Sequence, residues 1–335
     1  MIVASETQFH NPPEFKINLD LLREFERGLD PRSPGNSRIP ARVLGYGEIS
    51  TVLEIEAEDC RGLAFKRLSI FESPAEIKRY LATYVEYIRL LEEEIGVRLP
   101  PHGYAAFPNP GGRPVFYIVQ KKLPAAAIGN KALGALPPES APLFVRRVLR
   151  ELRKVWDYNG RQNHLRVAID GQLSNWAIEG FDAGHSGLDE PVSLLYVDTS
   201  TPIYRIEGQE QLDPELFLRN APSFMVWLIR LLFLKDVLDR YYDFRKVIVD
   251  LIANLYKEQR PELIPSVVRE ANAFLASEGS NPEAKPITEK EVRAYYQEDA
   301  FIWSFYLSAR KLDRLIQTQI LRREYPYILP GKTKR

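Results

Sequence analysis

The hydrophobic period of this chain changes character once along its length, and that change limits the folds open to it. Up to about residue 123 the apolar residues come in short runs rich in Val, Ile and Leu, broken by glycines or charged turns, as strands are. Beyond a proline-rich joint from Ala135 to Pro142 the spacing is mostly helical. A small β-rich part therefore precedes a larger helical one, which makes the class α+β. The length of 335 residues suits two domains or one two-lobed domain, either able to bury a sizeable core.

An earlier punctuation, Asp30 to Pro40, reads as a linker, so residues 1–40 are expected to form an N-terminal extension. Residues 41–123 then form the β-rich part and 124–335 the helical part. Within the first, Ala41 to Ala57 and Cys60 to Ile70 read as strands, as does Val115 to Leu123. Between them Pro74 to Ile95 reads as a helix. Ser73 is its N-cap with Glu76 three residues on, and Ile77, Leu81, Val85, Ile88 and Leu91 share a face. In the second part a helix is expected over Leu143 to Trp156, short strands at Trp176–Ile178 and Val192–Val197, and helices near 214–259, 262–277 and 288–323.

Charge and cysteine content exclude several function classes. The 45 Lys+Arg balance 45 Asp+Glu, which removes the electrostatic warrant for a nucleic-acid or membrane-surface partner. Cys60, the single cysteine, can form neither an internal disulfide nor a zinc site alone, which fits a reducing cytoplasm. His10, His102, His164 and His185 lack ligand spacing. The first residues, MIVASETQFHNPP, have no basic n-region or long apolar run, so no secretory signal is expected. Phe224 to Leu238 is the most apolar window, but Arg230, Lys235 and Asp236 interrupt it, and it reads as a buried helix.

Leu44-Gly45-Tyr46-Gly47-Glu48-Ile49-Ser50-Thr51-Val52 lies between two strands, whereas a dinucleotide-binding turn needs a helix behind it. Glycines in a strand–turn–strand flap let backbone lie close over phosphates, with Ser50 keeping the flap thin. Taken alone, the spacing fits a plain hairpin better than a nucleotide flap. Lys66, in Ala64-Phe65-Lys66 on the next strand, adds a cation that would sit on the face under such a flap. A helix carboxylate could hold it. Glu86 is the best placed and Glu76 the alternative.

Farther on, Asp170 stands five residues before Asn175, and Asp198 follows the strand Leu194-Leu195-Tyr196-Val197. Two carboxylates and an amide at adjacent strand ends make an oxygen-rich set suited to Mg²⁺. Each piece also has an ordinary role as a turn or cap.

In this order, the residues resemble the protein kinase-like superfamily: Gly45-x-Gly47-x-x-Ser50-x-Val52, Ala64-Phe65-Lys66, a helix with Glu86, a strand ending near Gln120, Asp170-x-x-x-x-Asn175, and Asp198. The pattern is closest to the aminoglycoside phosphotransferase and choline kinase branch, although Ala168-Ile169 stands where that branch commonly has His-Gly before its Asp. Asp198 is followed by Thr199-Ser200 rather than Phe-Gly, and no Ala-Pro-Glu motif follows.

The resemblance implies a two-lobed fold, with a small antiparallel sheet and one main helix in the N-lobe and a larger, mostly helical C-lobe. It implies that Gly45, Tyr46, Gly47, Ser50, Val52 and Ala64 surround ATP, with Gln120 to Leu123 lining the adenine. Lys66, positioned by Glu86, would bind phosphates; Asp170 would be the base, and Asn175 and Asp198 would hold Mg²⁺. The implied reaction moves the γ-phosphoryl group of ATP to a hydroxyl of a small-molecule acceptor. A non-catalytic nucleotide-binding module, an atypical protein kinase and a nucleotidyl transferase are the competing expectations.

Overall fold

In Pro114–Lys121 (β6) every residue but the last is buried, which is how a strand covered on both faces reads. The computed structural model describes residues 7–47, 49–108, 113–181, 188, 192–219, 238–278, 285–322, 325 and 327–329. It gives β6 a neighbour on each side in a six-stranded antiparallel sheet. The other strands are β1 (Gln8–His10), β2 (Ala41–Tyr46), β3 (Thr51–Ile55), β4 (Leu63–Leu68) and β5 (His102–Pro108), in the order β1-β5-β6-β4-β3-β2.

Period-two alternation divides β6 between two apolar layers. Val115, Tyr117 and Val119 face α1 (Leu19–Gly28), which adds Leu22 and Phe25 to that side. Phe116 and Ile118 face α2 (Pro74–Arg89) with Leu68. The segment expected as an N-terminal extension packs on the sheet. β1 pairs with β5, and α1, capped by Asn18, covers one face.

Strand β5 was not expected, because His102-Gly-Tyr-Ala-Ala-Phe-Pro lacks β-branched residues. Gly103 accounts for its place. A Cβ there would come within 2.4 Å of the His10 carbonyl, so only glycine admits β1 at that edge.

Helix α2 starts as expected. The Ser73 side chain accepts from Glu76 N–H, and the Glu76 carboxylate reaches back to Glu72 N–H at 2.8 Å. Its buried face is rotated from the expected one. Tyr80, Tyr84 and Tyr87 are buried, Leu81 is half-buried, and Val85 is exposed. Two of the three rings bury their hydroxyls against carbonyl acceptors: Tyr80 donates to the Ser200 carbonyl at 2.8 Å and Tyr87 to the Ala168 carbonyl at 2.9 Å. A π-helical turn, Leu90–Ile95, ends at Gly96 with φ 78°.

The helical part contains α3 (Gly129–Ala135), α4 (Ala141–Gly160), α5 (Glu215–Leu218), α6 (Phe244–Lys257), α7 (Ile264–Glu278) and α8 (Glu289–Leu315). The short strands β8 (Trp176–Ile178) and β9 (Leu194–Tyr196) pair antiparallel, as β10 (Tyr204–Ile206) does with β7 (Leu165–Val167) and β11 (Gln209–Glu210). Only the ends of the helix expected over 214–259 are described, and α6 begins afresh where Asp243 caps Lys246 N–H. The apolar run from Phe224 lies outside the described residues, as do Glu48, His185, Lys332, Lys334 and Arg335. One apolar cluster runs from Phe116 and Tyr84 through Phe144 and Leu152 to Ile252 and Phe274, so the α2 face of the sheet and the helical part share a core. Among the described residues no helix is long and apolar enough to cross a membrane.

Candidate functional site

Alternation along β4 turns Phe65 toward α1 and Lys66 toward α2 and the helical part. Lys66 is buried there, and its Nζ donates to Asp198 Oδ1 at 2.9 Å and to the Val197 carbonyl at 2.6 Å. Charge-assisted bonds of this kind are what make burying an ammonium tolerable. Burial works to raise the Asp198 carboxyl. The Lys66 ammonium and the bonds from Ser200 outweigh it and hold that carboxyl below its ordinary range.

Neither expected helix carboxylate reaches Lys66. Glu86 is half-exposed and forks onto Arg89 at 2.9–3.0 Å, and Glu76 bonds Arg219 at 2.9 Å. The cause is the phase of α2. With the tyrosines turned inward, Glu86 points along the helix surface to Arg89, three residues on.

The register of β8 and β9 brings the remaining polar residues to the same edge. Trp176 pairs with Tyr196, so Asn175 and Val197 face each other, and Val197 N–H donates to the Asn175 carbonyl at 2.8 Å. Asn175 Nδ2 lies 3.5 Å from the Asp170 carbonyl, which leaves its Oδ1 as an acceptor. Asp170 Oδ1 accepts from Gln172 N–H at 3.0 Å, an Asx turn that fixes the loop. Lys257 on α6 reaches Gln172 Oε1 at 3.3 Å and ties that loop to the helical part. Burial, then the charges of Asp198 and Asp170, push the Tyr87 hydroxyl far above its ordinary value, so both carboxylates lie within electrostatic reach of one ring.

The glycine hairpin closes over this edge. Gly45 and Tyr46 of β2 pair with Val52 and Thr51 of β3 beyond a bulge, and Gly47 N–H donates to the Ser50 carbonyl at 2.9 Å. A Cβ on Gly47 would meet Ser50 Oγ at 2.7 Å. Ser50 Oγ in turn donates to Ser200 Oγ at 3.3 Å, and Ser200 Oγ bonds Asp198 Oδ1 at 2.8 Å. The hairpin is thus pinned to the residues after Asp198. Ser200, Tyr80 and Tyr87 were missed as site residues. The readable signal was the Tyr80-x-x-x-Tyr84-x-x-Tyr87 spacing, which sets three rings on one helical face.

Two residues before Lys66 on β4, Ala64 pairs with Gln120 across β4 and β6. Gln120 is buried and its Nε2 has no hydrogen-bond partner among the described residues. Lys121 N–H and Lys122 N–H, on the expected adenine edge leading to half-buried Leu123, donate to the Pro101 and Gly62 carbonyls.

Chemically, the edge presents one ammonium, two carboxylates and an amide oxygen. Such hard oxygen donors fit Mg²⁺, and a lysine among them fits a phosphate. The Ser50–Ser200 bond at 3.3 Å leaves no room for a phosphate between those two hydroxyls.

A family model described as a family of unknown function (DUF6206) matches residues 36–314. The chain belongs to that family. No curated protein matches it. The DUF6206 span takes in Lys66, Asp170, Asn175 and Asp198 but leaves out β1 and α1.

Proposed function

We propose that the chain is an ATP-dependent phosphotransferase with a two-lobed protein kinase-like fold, moving the γ-phosphoryl group to a hydroxyl of a small-molecule acceptor. The observation that carries this reading is the bond at 2.9 Å between buried Lys66 and half-buried Asp198 beneath the glycine hairpin, with Asp170 and Asn175 at the same edge. In this reading Lys66 binds phosphate oxygens, and Asp198 and Asn175 would hold Mg²⁺. The bound ion would neutralise charge on the transferred group. Asp170 accepts the proton of the attacking hydroxyl, and Gln172 and Lys257 keep its loop in place. Most of the rate would come from positioning and charge neutralisation. A cytoplasmic location accompanies the proposal, consistent with a buried free Cys60 whose thiol burial pushes up to about 12.

A second reading, a nucleotide-binding regulatory module without catalysis, has specific support. Lys66 lacks a helix carboxylate, and the hairpin is bonded down through Ser50. Thermal shift with ATP or GTP and Mg²⁺, followed by ATP consumption against a panel of hydroxyl-bearing metabolites, separates the two. Binding with turnover supports the enzyme; binding without turnover on any small acceptor favours the module. Phosphoryl or nucleotidyl transfer onto protein would move the assignment to an atypical protein kinase or a nucleotidyl transferase. Absence of nucleotide binding would sink all of these. Asp170→Ala should lose roughly 10²–10⁴ in turnover while keeping ATP affinity, as removal of a general base does.

A further inference from the structure

Three cations are buried among the described residues: Lys66, Arg67 and Arg310. Lys66 bonds Asp198 and Arg67 bonds Glu26, but no carboxylate among the described residues bonds Arg310. Arg310 on α8 is 6% exposed, and its Nε is buried with no hydrogen-bond partner among the described residues. Asp313, three residues along the helix, accepts from Gln317 Nε2 at 3.4 Å instead. The Tyr306 and Tyr327 rings lie 5.6 and 5.7 Å from the guanidinium, and the Tyr325 hydroxyl is within its electrostatic reach. Ring faces attract a cation, but weakly beside the cost of burying a charge that no opposite charge balances. A buried guanidinium in that position calls for an anion from outside the chain.

Arg310 lines a small cavity together with Gly47, Ser50 and Thr51 of the glycine hairpin, Ser69 just past β4, and Tyr327. This is a different face from the one that holds Lys66. Thr51 pairs with Arg67 across β3 and β4, which puts both on the α1 side of the sheet, whereas Lys66 turns toward Asp198. Arg67 is already balanced by Glu26, so the cavity keeps the charge of Arg310. Neither the Thr51 nor the Ser69 hydroxyl makes a side-chain hydrogen bond among the described residues. One guanidinium and two hydroxyls, brought from α8, from β3 and from the residue after β4, can each donate to an oxyanion. Donors on three separate elements suit a tetrahedral phosphoryl group better than a flat carboxylate.

We propose that the α1-side face of the glycine hairpin is an anion site, in which Arg310, Thr51 and Ser69 bind a phosphoryl group and so tie α8 to the hairpin. The proposal does not rest on nucleotide chemistry at Lys66. Inorganic phosphate is the probe on the full chain, with sodium chloride at equal ionic strength as the control. Phosphate should raise the melting temperature of the native chain and slow amide exchange at Gly47, Ser50 and Thr51. Lys66→Ala should keep both effects. Arg310→Met should weaken phosphate binding roughly 10- to 100-fold, as loss of a charged hydrogen bond does. Thr51→Val keeps the charge and the shape of the site and should weaken binding by a smaller factor. In the Lys66→Ala background, tighter binding of inorganic phosphate than of adenosine monophosphate assigns the site to free phosphate, and the reverse order assigns it to a phosphoryl group carried on a metabolite. The proposal is overturned by no phosphate effect, or by equal phosphate affinity in Arg310→Met or in Thr51→Val. An effect lost in Lys66→Ala overturns it as well, because phosphate would then be binding beside Asp198.

Discussion

Asp198 gathers most of what the candidate site does. Its carboxylate accepts from Lys66 and from Ser200, and through Ser200 it holds the hairpin serine. Because its folded-state pKa is depressed, its stabilising contribution is full above the ordinary value of 3.8 and disappears as pH falls through the lower folded one. The stability difference between the native chain and Asp198→Asn should therefore be constant from neutral pH down to about 5 and shrink below 4; chemical denaturation at a series of pH values measures it. Lys66→Ala should uncouple the same edge and weaken phosphate binding, and unchanged nucleotide affinity and turnover would refute its proposed role. The order of Lys66, Asp170, Asn175 and Asp198 was legible because each stands on or beside a strand whose period reads locally. The partner of Lys66 was not legible. It depends on which face α2 buries, and two hydroxyls on that face meet acceptors at Ala168 and Ser200, some 80 to 120 residues farther on.

At the level of elements, local chemistry predicts ends better than faces. Ser73 and Glu76 announced the start of α2, and Ser73→Ala should cost about 1 kcal/mol, read as a drop in melting temperature. Tyr87→Phe removes one hydroxyl and leaves the Ala168 carbonyl without that donor, for about 1–3 kcal/mol. Gly47→Ala should displace Ser50 and release its bond to Ser200, which faster amide exchange in the hairpin would register. Strands β1, β5, β7, β10 and β11 escaped the sequence reading for different reasons. β5 is rich in small residues because it accommodates a close neighbour, and the other four are two or three residues long, too short for any period to register.

Considered whole, the molecule has an α2-side core that continues without a break into the helical part, while the α1-side core is largely its own. The second core contains a charge. Arg67 donates to Glu26 of α1 at 2.9 Å, Tyr117 bonds the same carboxylate, and both ends of the ion pair are almost fully buried. Glu26→Ala should destabilise the chain by about 3–5 kcal/mol, since it removes the carboxylate that balances a buried guanidinium. The family match begins at residue 36, after α1 has ended. The matched span and the packed unit thus have different borders in this protein: the family match starts after the helix that closes the α1-side core. A chain begun at residue 36 would meet solvent with the bare α1 face of its sheet and an Arg67 deprived of the Glu26 carboxylate, and should be recovered from cells as aggregate. Supplying residues 7–35 as a separate peptide should restore solubility.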